Sequence, residues 1–433
     1  MTGPRQGARA LAEWLVLGAL VGGLCGAASA LFLFLLDEAT ALREAHPAIV
    51  YTLPVAGLAI GWLYARYGKS IRAGNNLVID TIHDEGPRLP VRMAPMVLVG
   101  TVLTHLFGGS AGREGTAVQM GASLADTLAH KLSLRPNLRR HVLAAGVAGG
   151  FGSVFGTPIA GVVFGLEVVV LGQLAYGALL PALVASVVGD MTTRALGIVH
   201  TPYPLLSYVP LSPLLLAKWA VFAAAVALTT LTFIELTQAL KRWTERQCPS
   251  LPVRMALGGL ALVLLWQLVG TNDYLGLGIP MIVKAFSETG VPDMAFFLKL
   301  IFTALTLSVG FLGGEVTPLF FVGACLGSTL AEPLGLPRPL AAGVGLAAVF
   351  AAASNTPLAL AVMAVELMGG AAFPHVAIVC VMAYLLTGHR SIYPSQRLVH
   401  AKWGARLPTV RRLRDVAAET NPTKSAHEDV EPS

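Results

Sequence analysis

Three short stretches of this 433-residue chain place glycine and polar groups where apolar segments begin. They are Gly74-Asn75-Asn76-Leu77, Gly112-Arg113-Glu114-Gly115-Thr116 and Gly313-Gly314-Glu315-Val316-Thr317-Pro318. The first turn of a helix carries unpaired N–H groups and the positive end of the helix dipole. Glycine lets an anion come close to that backbone, and Pro318 suits a first turn, where its missing N–H costs nothing. Together the three starts describe an anion site built from backbone amides, with no fixed metal and no cofactor. Glu114 stands between two apolar segments, where a carboxylate is expensive and usually functional. Charged, it can occupy the site as an anion mimic; protonated, it would release the site to a real anion, which couples proton and anion movement. The plainer alternative is that Glu114 only pairs with Arg113 or caps its helix.

The elements that must hold these residues are membrane helices. Hydrophobic residues make up 55% of the chain and charged residues 12%, half of the roughly 25% in soluble domains. That excludes an ordinary cytosolic enzyme, a nucleic-acid binder and a disordered scaffold. Apolar runs such as 211–232, 254–269 and 339–365 are too long and unalternating for a β-barrel. The 46 glycines and 27 prolines permit close packing and broken helices. After Arg5 and Arg9 an apolar run continues to Leu36, longer than the core of a signal peptide, so a retained first membrane helix is expected. Further segments are expected at 48–66, 92–107, 114–130, 141–151, 157–171, 174–196, 211–240, 252–270, 294–312, 317–331, 339–353, 357–369 and 372–387. Several fall short of the roughly 20 residues that cross a bilayer and read as half-spanning helices. The net charge of +6, concentrated at Arg5, Arg9, 135–140 and 402–414, is topology signal that puts both termini in the cytoplasm. The membrane domain is expected to end near 404, and the polar tail 405–433 to be disordered. Cys25, Cys248, Cys325 and Cys380 fit no metal spacing and read as small core residues.

The chain also repeats itself. Gly109, Gly112, Glu114 and Thr116 match Gly310, Gly313, Glu315 and Thr317 at a separation of 201, and Gly121, Ala122, Leu124, Thr127, Leu128 and Ala129 match Gly323, Ala324, Leu326, Thr329, Leu330 and Ala331 at 202. Thr157, Pro158, Ala160, Val163 and Glu167 meet Thr356, Pro357, Ala359, Val362 and Glu366 at 199. Aligned Glu, Thr and Pro in one order divide the chain into related halves, about 10–200 and 210–400. Duplicated membrane folds bind substrate near the midplane, where broken helices of both halves meet.

These residues resemble a known family. GREGT at 112–116 is similar to the gating-glutamate motif of the CLC anion channels and transporters, usually GREGP. GGEVTP at 313–318 sits where that family has GxFxP, HRSIYPSQ at 389–396 where a tyrosine hydroxyl lines the anion path, and FGTPIAGVVFGLE at 155–167 resembles the helix at its dimer interface. The resemblance covers about 10–400 and implies an all-helical fold of two inverted repeats and a homodimer with one pathway per subunit. The departures are informative. Chloride-selective members carry GSGIP where this chain reads AGNNLVID, so Asn75 replaces a serine. GNNL with GREGT and a glutamate–threonine third motif resembles the fluoride-exporting branch, whose members are similar to proton-coupled antiporters of the bacterial plasma membrane. The inner glutamate of many CLC antiporters falls here on Val168, an absence that branch shares. The resemblance implies Glu114 and Glu315 as gating and proton-transfer groups, with Asn75, Asn76, Gly115, Val316, Thr317 and Tyr393 around the anion. Glu167 and Glu366 read as structural. A physical argument runs beside it: fluoride is small and strongly hydrated, so a site that strips its water must offer close, strong donors such as Asn amides and the Thr317 hydroxyl. The alternatives are a CLC-type channel or antiporter for chloride, another halide or nitrate.

Other motifs carry less. Gly108-Gly109-Ser110-Ala111-Gly112 fits the nucleophile elbow, and His105 could serve as base in an intramembrane serine hydrolase, but the elbow needs a strand-to-helix turn and the flanks read helical. His83-Asp84-Glu85 reads as a solvated loop rather than a metal site. His200 and His375 lie at segment ends without ligand spacing. No phosphate loop or dinucleotide fingerprint occurs. An enzyme is therefore not expected, and the partners are fluoride (or chloride), protons, the lipid bilayer and a second copy of the chain.

Overall fold

The computed structural model describes residues 4–84, 88–402 and 406–419. The first half of the chain forms α1 (Pro4–Ala45), α2 (Leu53–Tyr67), α3 (Asn75–Asp84), α4 (Met93–Leu106), α5 (Glu114–Lys131), α6 (Pro136–Phe155), α7 (Pro158–Glu167) and α8 (Leu179–Ala195). The second half forms α9 (Pro213–Gln247), α10 (Leu251–Val269), α11 (Ile279–Lys284), α12 (Ala295–Ser308), α13 (Val316–Leu334), α14 (Arg338–Ser354), α15 (Pro357–Met368) and α16 (Phe373–Leu386). Among the described residues six helices are long and apolar enough to cross a bilayer, while α4, α7, α12, α14 and α15 are apolar but shorter. The protein is a multi-pass membrane protein with broken, half-spanning helices.

The halves repeat each other in packing as in sequence. α1 lies on α8 as α9 lies on α16, and α5 pairs with α6 as α13 with α14. The last two pairs touch backbone to backbone through matched glycines. A Cβ on Gly121 would sit 2.3 Å from the Gly146 carbonyl oxygen, and one on Gly323 2.0 Å from that of Gly345. Small residues at such crossings replace the hydrophobic drive that lipid removes. Helix ends correspond as well. Gly156 closes α6 at φ 74 and Asn355 closes α14 at φ 58, the residue types that tolerate the left-handed cap, and Thr-Pro then opens α7 and α15.

An exchange of carboxylates joins the halves. Glu366, near the end of α15, accepts N–H bonds from Ile159 at 2.9 Å and Ala160 at 2.7 Å in the first turn of α7. Glu167, ending α7, accepts from Leu358 at 3.1 Å and Ala359 at 2.8 Å in the first turn of α15. Each helix thereby supplies its neighbour with the negative charge that an N-terminus favours. The inversion of the repeat is visible here, because α7 and α15 cap each other head to tail.

Three expectations need correction. The stretch after 404 is not structureless throughout. A small sheet runs in the order β1 (Val170–Leu171), β2 (Arg397–His400), β3 (Arg406–Arg412), parallel then antiparallel, and α17 (Leu413–Glu419) follows. The pairing partner β2 lies before the expected domain boundary, which local composition could not reveal; the rest of the expected tail, 420–433, lies outside the described residues. His83 and Asp84 form the last turn of α3 rather than a loop, with the His83 ring held at 2.9 Å by the Val169 carbonyl; Glu85 lies outside the described residues. The segment expected at 211–240 continues as α9 to Gln247. Cys25, Cys325 and Cys380 are buried free thiols, and Cys248 is partly exposed.

Candidate functional site

The three glycine-bearing stretches open α3, α5 and α13. The loops before α5 and α13 are stitched together where the halves meet. The Gly112 N–H donates to Gly314 O at 2.6 Å, and the Gly314 N–H to Gly112 O at 2.8 Å. Glycine is required at this seam, since a Cβ on Gly112 would lie 2.9 Å from Gly314 O and 3.0 Å from Glu114 Oε2.

Glu114 begins α5 but its carboxylate serves α13. It is fully buried. Oε2 accepts the Thr317 N–H at 3.1 Å and the Arg113 N–H at 3.2 Å, and Oε1 accepts the Thr317 hydroxyl. Arg113 Nε stands 3.5 Å from Oε1. A carboxyl group thus occupies the N-terminus of α13, held by the amide and hydroxyl donors an anion would use. Pairing with Arg113 is real, but it accompanies this placement rather than replacing it.

The other expected residues gather unevenly. Asn75 Nδ2, Gly314 Cα and, farther off, Glu315 Oε2 surround Gly115, at 3.0, 3.1 and 3.9 Å from where its Cβ would be. Val316 and Thr317 form the first turn of α13 and are buried. Tyr393 is also buried. Asn76 Oδ1 accepts the Ser395 N–H at 3.1 Å, so its side chain also anchors the segment that bears Tyr393. Gln396, fully buried at the end of the segment that bears Tyr393, carries no signal in the sequence. Its partners Val168, Ser354 and Asn355 lie far along the chain, which residue type alone does not signal.

The serine-hydrolase geometry is absent from the described residues. The loop holding Ser110 joins two helices, and its hydroxyl lies 3.0 Å from that of Thr303. Both His105 ring nitrogens face carbonyls, Thr101 O at 2.8 Å and Ala111 O at 2.9 Å, so neither is free to activate the serine. His375 lies between Trp219 Nε1 and the Val209 carbonyl, and His200 lies 3.6 Å from Asp190. No group of three or more metal-ligating side chains occurs among the described residues.

Inverted helical repeats whose broken helices meet at a buried carboxylate define a class of membrane anion transport proteins. Residues 56–388 match the voltage gated chloride channel family, and the chain belongs to that family. It is 48% identical over 426 residues to a "Chloride/fluoride channel protein" of Pseudomonas syringae pv. tomato, covering 96% of this chain and 94% of the relative. The fold is similar to that of a CLC-type fluoride/proton antiporter, with TM-score 0.87 and 38% identity over 92% of this chain and all of that one. A slow cyanobacterial Cl⁻/H⁺ antiporter shares the fold at TM-score 0.77 and 18% identity, over 99% of this chain and 100% of the other.

Proposed function

We propose that the protein exports fluoride from the cytoplasm in exchange for protons, with Glu114 as both gate and proton carrier. The observation that carries this reading is the Glu114 carboxylate bound by the N–H and hydroxyl of Thr317 at the start of α13. A side chain that leaves that site when protonated vacates it for an anion, and returns only by giving up its proton. The fluoride assignment draws support from the relative named for chloride and fluoride and from the likeness to a fluoride/proton antiporter. Asn75 in place of a serine and Thr317 in the first turn of α13 add strong donors suited to a small anion.

In this reading Asn75, Gly115, Val316, Thr317 and Tyr393 surround the anion, Asn76 supports them, and Glu315 passes the proton on the inner side. The membrane domain comprises the two repeats and carries a small cap built from β1, β2, β3 and α17. The protein works as a homodimer in the bacterial inner membrane with both termini in the cytoplasm, its contact face built from α7 and α15, where Ile159 and Leu358 are exposed. It is a carrier and performs no covalent chemistry.

The test is anion and proton flux in liposomes loaded with fluoride or chloride, the voltage clamped by potassium and valinomycin. Fluoride efflux with stoichiometric proton uptake, both lost in Glu114→Ala, is the expected result. Chloride moving as fast as fluoride would replace the fluoride reading with a general halide carrier. Fluoride moving without protons would make the protein a channel.

A further inference from the structure

Gln396 closes the short segment that bears Tyr393 and is fully buried. Its amide uses every hydrogen-bonding position it has. Nε2 donates to Val168 O at 2.9 Å and Ser354 O at 2.8 Å, while Oε1 accepts from the Ser391 hydroxyl at 2.7 Å and Asn355 Nδ2 at 3.1 Å. The Ser391 oxygen accepts the Tyr393 N–H at 2.9 Å. Asn355 also donates to Arg390 O at 3.2 Å, and its Oδ1 accepts Lys402 Nζ at 2.6 Å. Lys402 donates again to Tyr384 O at 2.7 Å and stands 3.8 Å from the centre of the Tyr384 ring. An unbroken chain thus runs from Lys402, beyond the last membrane helix, through Asn355, Gln396 and Ser391 to the backbone of Tyr393. It ties the end of α7, in the first half, to the end of α14, in the second.

The polarity of this chain is fixed from both ends. An ammonium only donates, so it holds the oxygen of Asn355 toward itself and turns the nitrogen toward Gln396. At the other end the Val168 and Ser354 carbonyls only accept, which holds the Gln396 nitrogen toward them and its oxygen toward Asn355 and Ser391. Buried networks of this kind rigidify what they hold when every member is satisfied.

We infer that Lys402 is a positioning residue for the inner end of the anion pathway, its ammonium anchoring the Asn355 amide through which Gln396 and Ser391 hold Tyr393 in place. The inference rests on the proposal that Tyr393 lines that pathway. Burial holds the Lys402 ammonium down at about 7, so the charge that strengthens its bond to Asn355 is present below that pH and lost above it. The groups facing it are the Tyr384 ring from α16, the Asn355 amide at the end of α14, and His389, whose Nε2 accepts the Lys402 N–H at 3.2 Å.

The experiment is a double-mutant cycle on the full chain in liposomes, with Lys402→Met, Tyr393→Ala and the double variant. It is read on whichever anion the wild type carries, so a halide carrier would defeat the fluoride reading and still test this one. Lys402→Met should slow turnover by roughly threefold or more, the lower range of coupling between contacting residues, and add nothing in the Tyr393→Ala background. The deficit should be largest near pH 6 and shrink toward about pH 8.5, where the wild-type ammonium is itself discharged. Lys402→Arg should restore turnover at the acid end. Equal, multiplicative losses in both backgrounds, or a loss independent of pH that arginine does not rescue, would overturn the inference. Should Lys402→Met fail to assemble, judged by size-exclusion chromatography, Lys402→Gln takes its place in the same cycle.

Discussion

Thr317 gives two bonds to Glu114, and substitution separates them. Thr317→Val keeps the backbone N–H and removes the hydroxyl. A hydrogen bond to a charged group is worth about 1.5–3 kcal/mol, so fluoride affinity should fall about tenfold or more, with Thr317→Ser retaining most of it. Calorimetric titration of fluoride into a Glu114→Gln background measures the anion site without the competing carboxylate; unchanged affinity in Thr317→Val would remove the hydroxyl from the site. Glu114 and Thr317 were legible in the sequence because a charge amid apolar residues and a threonine in a first turn are both local signals. The anchoring bond of Asn76 was not, since its partner Ser395 lies 319 residues away. Lys402 reads in sequence as one more basic residue of a topology signal, because its partners Asn355 and Tyr384 lie on other elements.

The exchanged carboxylates make α7 and α15 a mutually capped pair. Loss of a helix N-cap contact costs about 0.5–2 kcal/mol. Glu366→Ala and Glu167→Ala should therefore each lower the melting temperature in detergent, and an unaltered melting curve for both would deny the caps any stabilising part. The glycine crossings make a sharper prediction. Gly323→Ala places a methyl 2.0 Å from the Gly345 carbonyl oxygen and should prevent α13 and α14 from packing, whereas Gly370→Ala, with nothing within 4 Å, should express and elute like wild type. The helices were readable because apolar runs, glycine caps and Thr-Pro starts recur in both halves. β3 was hidden, as Arg406–Arg412 has little apolar alternation of its own and becomes a strand by pairing with β2. The short α11 was missed for a related reason: six residues carry too little pattern to stand out.

At the scale of the molecule, the repeat told in advance that two halves exist and which positions correspond, and the structure adds how they are fastened. The reciprocal caps join them at α7 and α15, and the paired glycine loops join them beside Glu114. The seam between Gly112 and Gly314 leaves no room for a side chain. A pump that rocks its halves apart must open such a seam at every turnover; one that swings a single side chain leaves it shut. On the proposed mechanism the seam stays shut and the protein is a rigid housing around a moving part of a few atoms, with the lipid standing outside the cycle. Its speed should be nearly indifferent to acyl-chain length, changing less than about twofold between thin and thick bilayers, because hydrophobic mismatch acts on elements that shift against lipid. A steep dependence of turnover on bilayer thickness would mean that the housing itself opens.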